Sequence, residues 1–118
     1  MLIINHSQVR ELLPMRDCME VVAEALSDLA RGEGVQPLRS DLSVPARNGL
    51  LAWMPGSLAK GKPFGIKILS IHDRATELGL DSHQGAVMIF DPENGRPLAL
   101  AEAGAVTAVR TAAVGARA

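Results

Sequence analysis

The stretch that decides the fold is Phe64–Ile71, "FGIKILSI". Apolar residues run through it almost without a break, as in a well-covered strand, and a single lysine stands between Ile66 and Ile68. Strands send alternate side chains to opposite faces, so Lys67 shares a face with Leu69 and Ile71. A desolvated ammonium without a partner costs several kcal/mol or loses its proton. Two explanations stand at this point. Either Lys67 snorkels to water from a solvated face or sheet edge, or a ligand carboxylate completes it.

Upstream, Val35–Val44 changes to a period of two. Leu38, Ser40, Leu42 and Val44 alternate with Arg39, Asp41 and Ser43, which predicts a half-buried strand. "RNG" (Arg47–Gly49) is a turn signal, and "LLAWM" returns as the partner strand, with Met54–Pro55 as its end. Downstream, "HDRATELGLDSHQ" reads as a polar loop, "GAVMIF" as a strand, "DPENG" as a turn and "RPLALAEA" as another strand. The chain opens with a short strand, "MLII". A brief helix follows, capped by Ser7 and ended near Pro14. Asp17 with Glu20 resembles a capping box for a second helix. Cys18, Val22, Ala25 and Leu29 form the apolar stripe of that helix, and Gly32 stops it. The last helix is expected from about Val106. The sum is an α+β fold, a mainly antiparallel sheet with flanking helices.

Composition narrows the function. The 118 residues suit one domain and carry 12 Lys+Arg against 13 Asp+Glu. That balance gives no electrostatic footprint for nucleic acid, and the few aromatic rings offer little for base stacking. The lone Cys18 cannot form an internal disulfide or a cysteine metal cluster. His6 and His72 have no metal-ligand spacing and read as structural, so no metal site is expected. No signal peptide or membrane span is visible, and a reducing cytoplasm fits. The glycines form neither GxGxxG nor a Walker loop.

Two further cations sit in apolar or half-buried surroundings. Arg110 lies among Ala108, Val109, Ala112, Ala113 and Val114, and Arg39 lies on the alternating segment. Each has a plainer partner in sequence, Glu102 for Arg110 and Asp41 for Arg39. Cations on separate elements would also suit a planar anion such as a carboxylate. Periodicity does not decide between these readings. "DSHQ" (Asp81–Gln84) clusters polar groups before a strand, as either an Asx turn or a ligand loop.

The motifs "LLPMRDCMEVVAEALSDLARGE", "QPLR", "GLLAWMP", "GIKILSI", "LDSHQGAVMIFDPENGRPLAL" and "VTAVRTAA" come in an order that resembles the ornithine cyclodeaminase/mu-crystallin family. The likeness runs from about Val9 to Ala118. It implies an NAD- or NADP-dependent enzyme that transfers hydride at the α-carbon of a small amino or imino acid. Ornithine cyclodeamination, ketimine reduction and alanine dehydrogenation are the reactions it brings in. It implies that residues 1–118 are a substrate-binding and dimerisation domain, a homodimer through the sheet. About residues 105–118 would lead to a Rossmann domain absent from this chain.

By the same resemblance, Arg39, Lys67 and Arg110 match substrate-carboxylate binders, and Ser82, Arg110 and Thr111 match cofactor contacts. The general acid/base is expected in the absent domain, so the 118-residue chain alone is expected to be inactive. Where ornithine cyclodeaminases carry a glutamate, this sequence has Ala52, whose methyl group cannot hold a substrate amine. The alternative is a non-catalytic fragment that binds small carboxylates or dimerises.

Overall fold

A computed structural model describes residues 1–45 and 48–117. Its elements are β1 (Leu2–Ile4), α1 (His6–Leu12), α2 (Met15–Ala30), β2 (Ser40–Val44), β3 (Gly49–Ser57), β4 (Phe64–Ile71), α3 (Asp73–Glu77), β5 (His83–Phe90), β6 (Pro97–Glu102) and α4 (Ala103–Arg117). The strands form one six-stranded sheet in the order β1-β6-β5-β4-β3-β2. Hairpin connections make neighbours antiparallel, except that β1 joins β6 in parallel. The expected α+β fold with a mainly antiparallel sheet is present.

Capping explains where the helices begin. Asn5, not Ser7, caps α1. Asn5 Oδ1 accepts from the Gln8 N–H at 2.9 Å, and Gln8 Oε1 accepts from the Asn5 N–H at 2.9 Å. Pro14 occupies the cap of α2 with φ −65°, and no side chain bonds there. Asp17 therefore lies inside the first turn, where it complements the positive helix end instead of forming a capping box. Gly32 stops the helix as expected, in the left-handed region at φ 74°. The last helix starts at Ala103 rather than Val106, because Glu102 accepts the N–H groups of Gly104 and Ala105, both at 2.7 Å. The same carboxylate bonds His6 Nδ1 at 3.0 Å, tying α1 to the junction of β6 and α4.

Helix α4 is the central packing element. It lies against α2 and α1 on one side and β5 on the other. Cys18, Val22 and Ala113 form the buried α2–α4 contact, joined by Leu13, Met19, Val109 and Val114. Alanines fill the remaining interior, with Ala52, Ala103 and Ala113 fully buried. Such small side chains let a helix approach a sheet closely.

Register sorts the sheet into two faces. Ala52 opposes Leu69, and Met54 opposes Lys67. These residues look toward the helices, and Ala52 and Leu69 are buried. The opposite face carries Trp53, Phe64, Ile66, Ile68 and Met88, and no element among the described residues covers it. Phe64 and Ile68 remain 40% and 43% exposed. Phe64 stacks on Phe90 across this face, with ring centroids 5.4 Å apart.

Three local expectations are corrected. The segment before β3 is not a half-buried strand from Val35. Val35 makes a lone bridge to Ser57, but only Ser40–Val44 forms a strand; that strand is exposed throughout, and Leu38 is 94% exposed. As an edge strand it places Leu42 and Val44 on the uncovered face. The polar loop after β4 contains α3, capped by His72, whose Nδ1 accepts from the Arg74 N–H at 3.1 Å. Met54–Pro55 does not end β3 but lies within it. Pro55 is tolerated because β2 reaches only Gly49–Trp53 and the outer side of β3 is next bonded at Ser57, by a lone bridge to Val35, so Pro55 falls in the gap between them. In the "RNG" turn signal, Arg47 lies outside the described residues, and Asn48 is left-handed with φ 53°.

Candidate functional site: a cavity lined by three cations

The sheet register brings two of the cations into line. Ser40 opposes Trp53, so Arg39 falls level with Met54, and Met54 opposes Lys67. Arg39 and Lys67 thus lie on the same side with β3 between them, about 10 Å apart at the backbone by ordinary strand spacing. Both side chains are long enough to meet over Met54. Arg110 approaches from α4. All three line one cavity of 760 Å³, whose other walls include Val22 and Leu29 from α2, Gln36, Met54, Pro55 and Val114.

None of the three cations makes an ion pair among the described residues. The plainer partners are otherwise placed. Glu102 is spent on His6 and the start of α4, and Asp41 makes no bond to Arg39. Burial pulls the Lys67 ammonium below the ordinary lysine range, and the nearby charges of Arg110 and Arg39 lower it further. The cavity is therefore a site of uncompensated positive charge. The side chains that surround it are largely apolar, which strengthens any charge-assisted bond made inside.

The remaining expected residues lie elsewhere. Ser82 is half-buried, its Oγ 2.9 Å from His83 Nδ1, and its carbonyl accepts from the His72 N–H at 3.2 Å. Asp81 Oδ1 accepts the His83 N–H at 2.9 Å, which makes "DSH" an Asx turn. Thr111 is exposed on α4 beside Arg110. Neither Ser82 nor Thr111 lines the cation cavity. No group of His, Cys, Asp or Glu among the described residues is arranged to hold a metal ion.

Sequence reading missed a buried acid next to the wall residue Leu29. Asp28 is fully buried at the end of α2. Its Oδ1 accepts from Arg31 at 2.7 Å, and its Oδ2 accepts from Lys62 at 2.8 Å and the Ala59 N–H at 3.2 Å. Lys62 also pairs with Glu24. The hydrogen bond from Lys62 is the main cause that holds the Asp28 carboxyl below its usual range, with desolvation opposing it. This network fastens the β3–β4 loop to α2 and so fixes Leu29 against β3. Only the i,i+3 spacing of Asp28 and Arg31 signalled any of it.

The fold and cavity together define an α+β domain with a concave cationic face between sheet and helices. The chain belongs to the Ornithine cyclodeaminase/mu-crystallin family, which matches over residues 1–118. It is 31% identical over 115 residues to a Delta(1)-pyrroline-2-carboxylate reductase of Bacillus cereus, an alignment that covers 97% of this chain and 35% of that protein. Among solved structures, it is similar to Thermococcus litoralis Delta(1)-pyrroline-2-carboxylate reductase in complex with NADH and L-proline. The TM-score is 0.90 at 33% identity, with 98% of this chain and 36% of that one covered. An archaeal alanine dehydrogenase dimer with bound NAD gives a TM-score of 0.87 at 31% identity, covering 97% of this chain and 34% of that one. The chain thus spans about a third of the length of these relatives. No helix among the described residues is long and apolar enough to cross a membrane.

Proposed function

We propose that residues 1–118 are the substrate-binding and dimerising part of an NAD(P)-dependent enzyme acting at the α-carbon of a small amino or imino acid. About residues 105–118 would lead to its dinucleotide-binding domain. The observation that carries this reading is the cavity in which Arg39, Lys67 and Arg110 stand together without acids. A substrate carboxylate supplies the missing negative charge. Arg39 and Arg110 offer flat guanidinium forks that match its plane, and Lys67 offers a point charge from the sheet floor. Fixing the carboxylate from several sides fixes the α-carbon beside it, and such positioning is worth several kcal/mol of barrier.

The bound nicotinamide would supply or accept the hydride. The Ser82 and Thr111 hydroxyls and the Arg110 guanidinium are donor types suited to ribose and phosphate oxygens. Thr111 and Arg110 are exposed on α4, open to a cofactor carried by a second domain. A homodimer would form by pairing of the uncovered sheet faces.

The test uses a polypeptide that includes the dinucleotide-binding domain. Lys67→Ala should lower kcat/KM for the amino or imino acid by more than tenfold, while NAD(P) affinity stays within about twofold. Equal losses for both would refute the assignment. A non-catalytic carboxylate binder is the second reading, favoured because all three cations stand within this chain and need no further domain to converge. Binding of a carboxylate without any turnover in the longer polypeptide would select it.

A further inference from the structure

The cation cavity opens into a second space of 330 Å³ that shares Leu29, Gln36, Met54, Pro55 and Lys67 with it. This space lies toward the far end of the β3–β4 pair, away from Ala52 and Leu69. Its walls include Leu29, Val35, Met54 and Val87, and Gly56 faces Gly65 across the two strands. A Cβ at Gly65 would run into the Met88 carbonyl oxygen, so the backbone there demands glycine. Gly56 is different. A Cβ at Gly56 would have only the Val35 carbonyl oxygen nearby, at 3.6 Å, an ordinary contact. Its missing side chain is thus unforced by the backbone and leaves open space.

Among the described residues, no acid lines this space. The buried carboxylate of Asp28, next to Leu29 in sequence, has both oxygens occupied by Arg31, Lys62 and the Ala59 N–H. A cationic tail would give up part of its hydration against these walls and gain no counter-charge. A neutral apolar tail would lie against mostly apolar walls.

We infer that this compartment receives the substrate's side chain, that it selects neutral apolar tails over cationic ones, and that residue 56 sets the tail length it accepts. This deepens the proposed function and rests on it, since the carboxylate must first sit on the cations. A tail leaving an α-carbon held at Lys67 enters the space directly, because Lys67 lines both cavities.

The experiment is a titration of the 118-residue chain, followed by NMR chemical shifts, with L-alanine, L-norvaline and L-ornithine. L-Norvaline should bind about tenfold more tightly than L-alanine, the worth of two buried methylenes. L-Ornithine should bind no better than L-alanine. Gly56→Val should erase the L-norvaline advantage and leave L-alanine binding unchanged. Gly56→Ala, which adds one methyl to a strand position without strain, should reduce the advantage even if the valine variant folds poorly. L-Ornithine binding as tightly as L-norvaline, or an L-norvaline advantage that survives both substitutions, overturns the inference but leaves the carboxylate site standing. Absence of binding by all three, or binding indifferent to Lys67→Ala, overturns the site itself and the inference with it.

Discussion

Lys67→Met should make the folded chain more stable while emptying the site of its function. The substitution keeps a long flexible stem and removes the ammonium. Burial and the charges of Arg110 and Arg39 already disfavour that ammonium in the fold. Two charges about 10 Å apart repel by about 0.4 kcal/mol in bulk water and about 1.7 kcal/mol at an effective dielectric of 20. With two arginines facing Lys67, relief of about 1–2 kcal/mol is expected at low ionic strength. A Debye length of about 8 Å at physiological salt cuts this repulsion to roughly a third.

Urea unfolding at pH 7, in about 10 mM and about 1 M salt, measures both parts. The variant should gain about 1 kcal/mol or more in dilute buffer, and most of that gain should vanish in concentrated salt. Carboxylate affinity should fall by tenfold or more over the same comparison. A variant that is less stable than the parent at both salt concentrations would refute the reasoning. It would mean that Lys67 has a stabilising partner, and the cavity would not be a site of surplus charge.

Two other outcomes follow from features away from the cations. Asp28→Asn should lower the melting temperature near neutral pH. Its carboxyl is held below the unfolded value of about 3.9, so its stabilising effect is present above that pH and is lost on acidification through the lower folded value. The gap between parent and variant should therefore close below about pH 4, and a gap that persists into acid would exclude the charge network as its source. On the uncovered face, Ile68→Lys should weaken self-association about a hundredfold or more by placing an unpaired ammonium in the contact. Sedimentation of parent and variant checks this, and a parent that runs as a monomer at high concentration would remove the proposed dimer surface.

Much of this architecture was readable because its signals are local. The apolar run around Lys67, the return strand "LLAWM" and the "DPENG" turn each announce themselves within a few residues. The failures have physical causes. Edge strand β2 is exposed throughout, so its alternation implied a covered face that no element among the described residues supplies. Helix α3 is five residues long and rests on a histidine cap, too short for any period to show. The parallel pairing of β1 with β6 joins the two ends of the domain and leaves no trace in neighbouring residues. Each cation was visible as an oddity, but their convergence depends on strand register and on the placement of α4. Family resemblance gathered Arg39, Lys67 and Arg110 into one site before geometry did. It offered nothing on Asp28, whose partners lie up to 34 residues away.

Glu102 has a consequence for how firmly an anion would be gripped. Sheet and helix meet at this residue with no linker between them, since β6 ends there and α4 begins at Ala103. Arg110 therefore rides on a rod clamped at its base, about 12 Å along by helical rise. Lys67 stands on a strand hydrogen-bonded on both sides, so the backbones of two of the three cations are set when the chain folds. Arg39, on the exposed approach to an edge strand, would be the cation left to settle on an anion's arrival, and most of the ordering entropy of capture should concentrate in that one side chain.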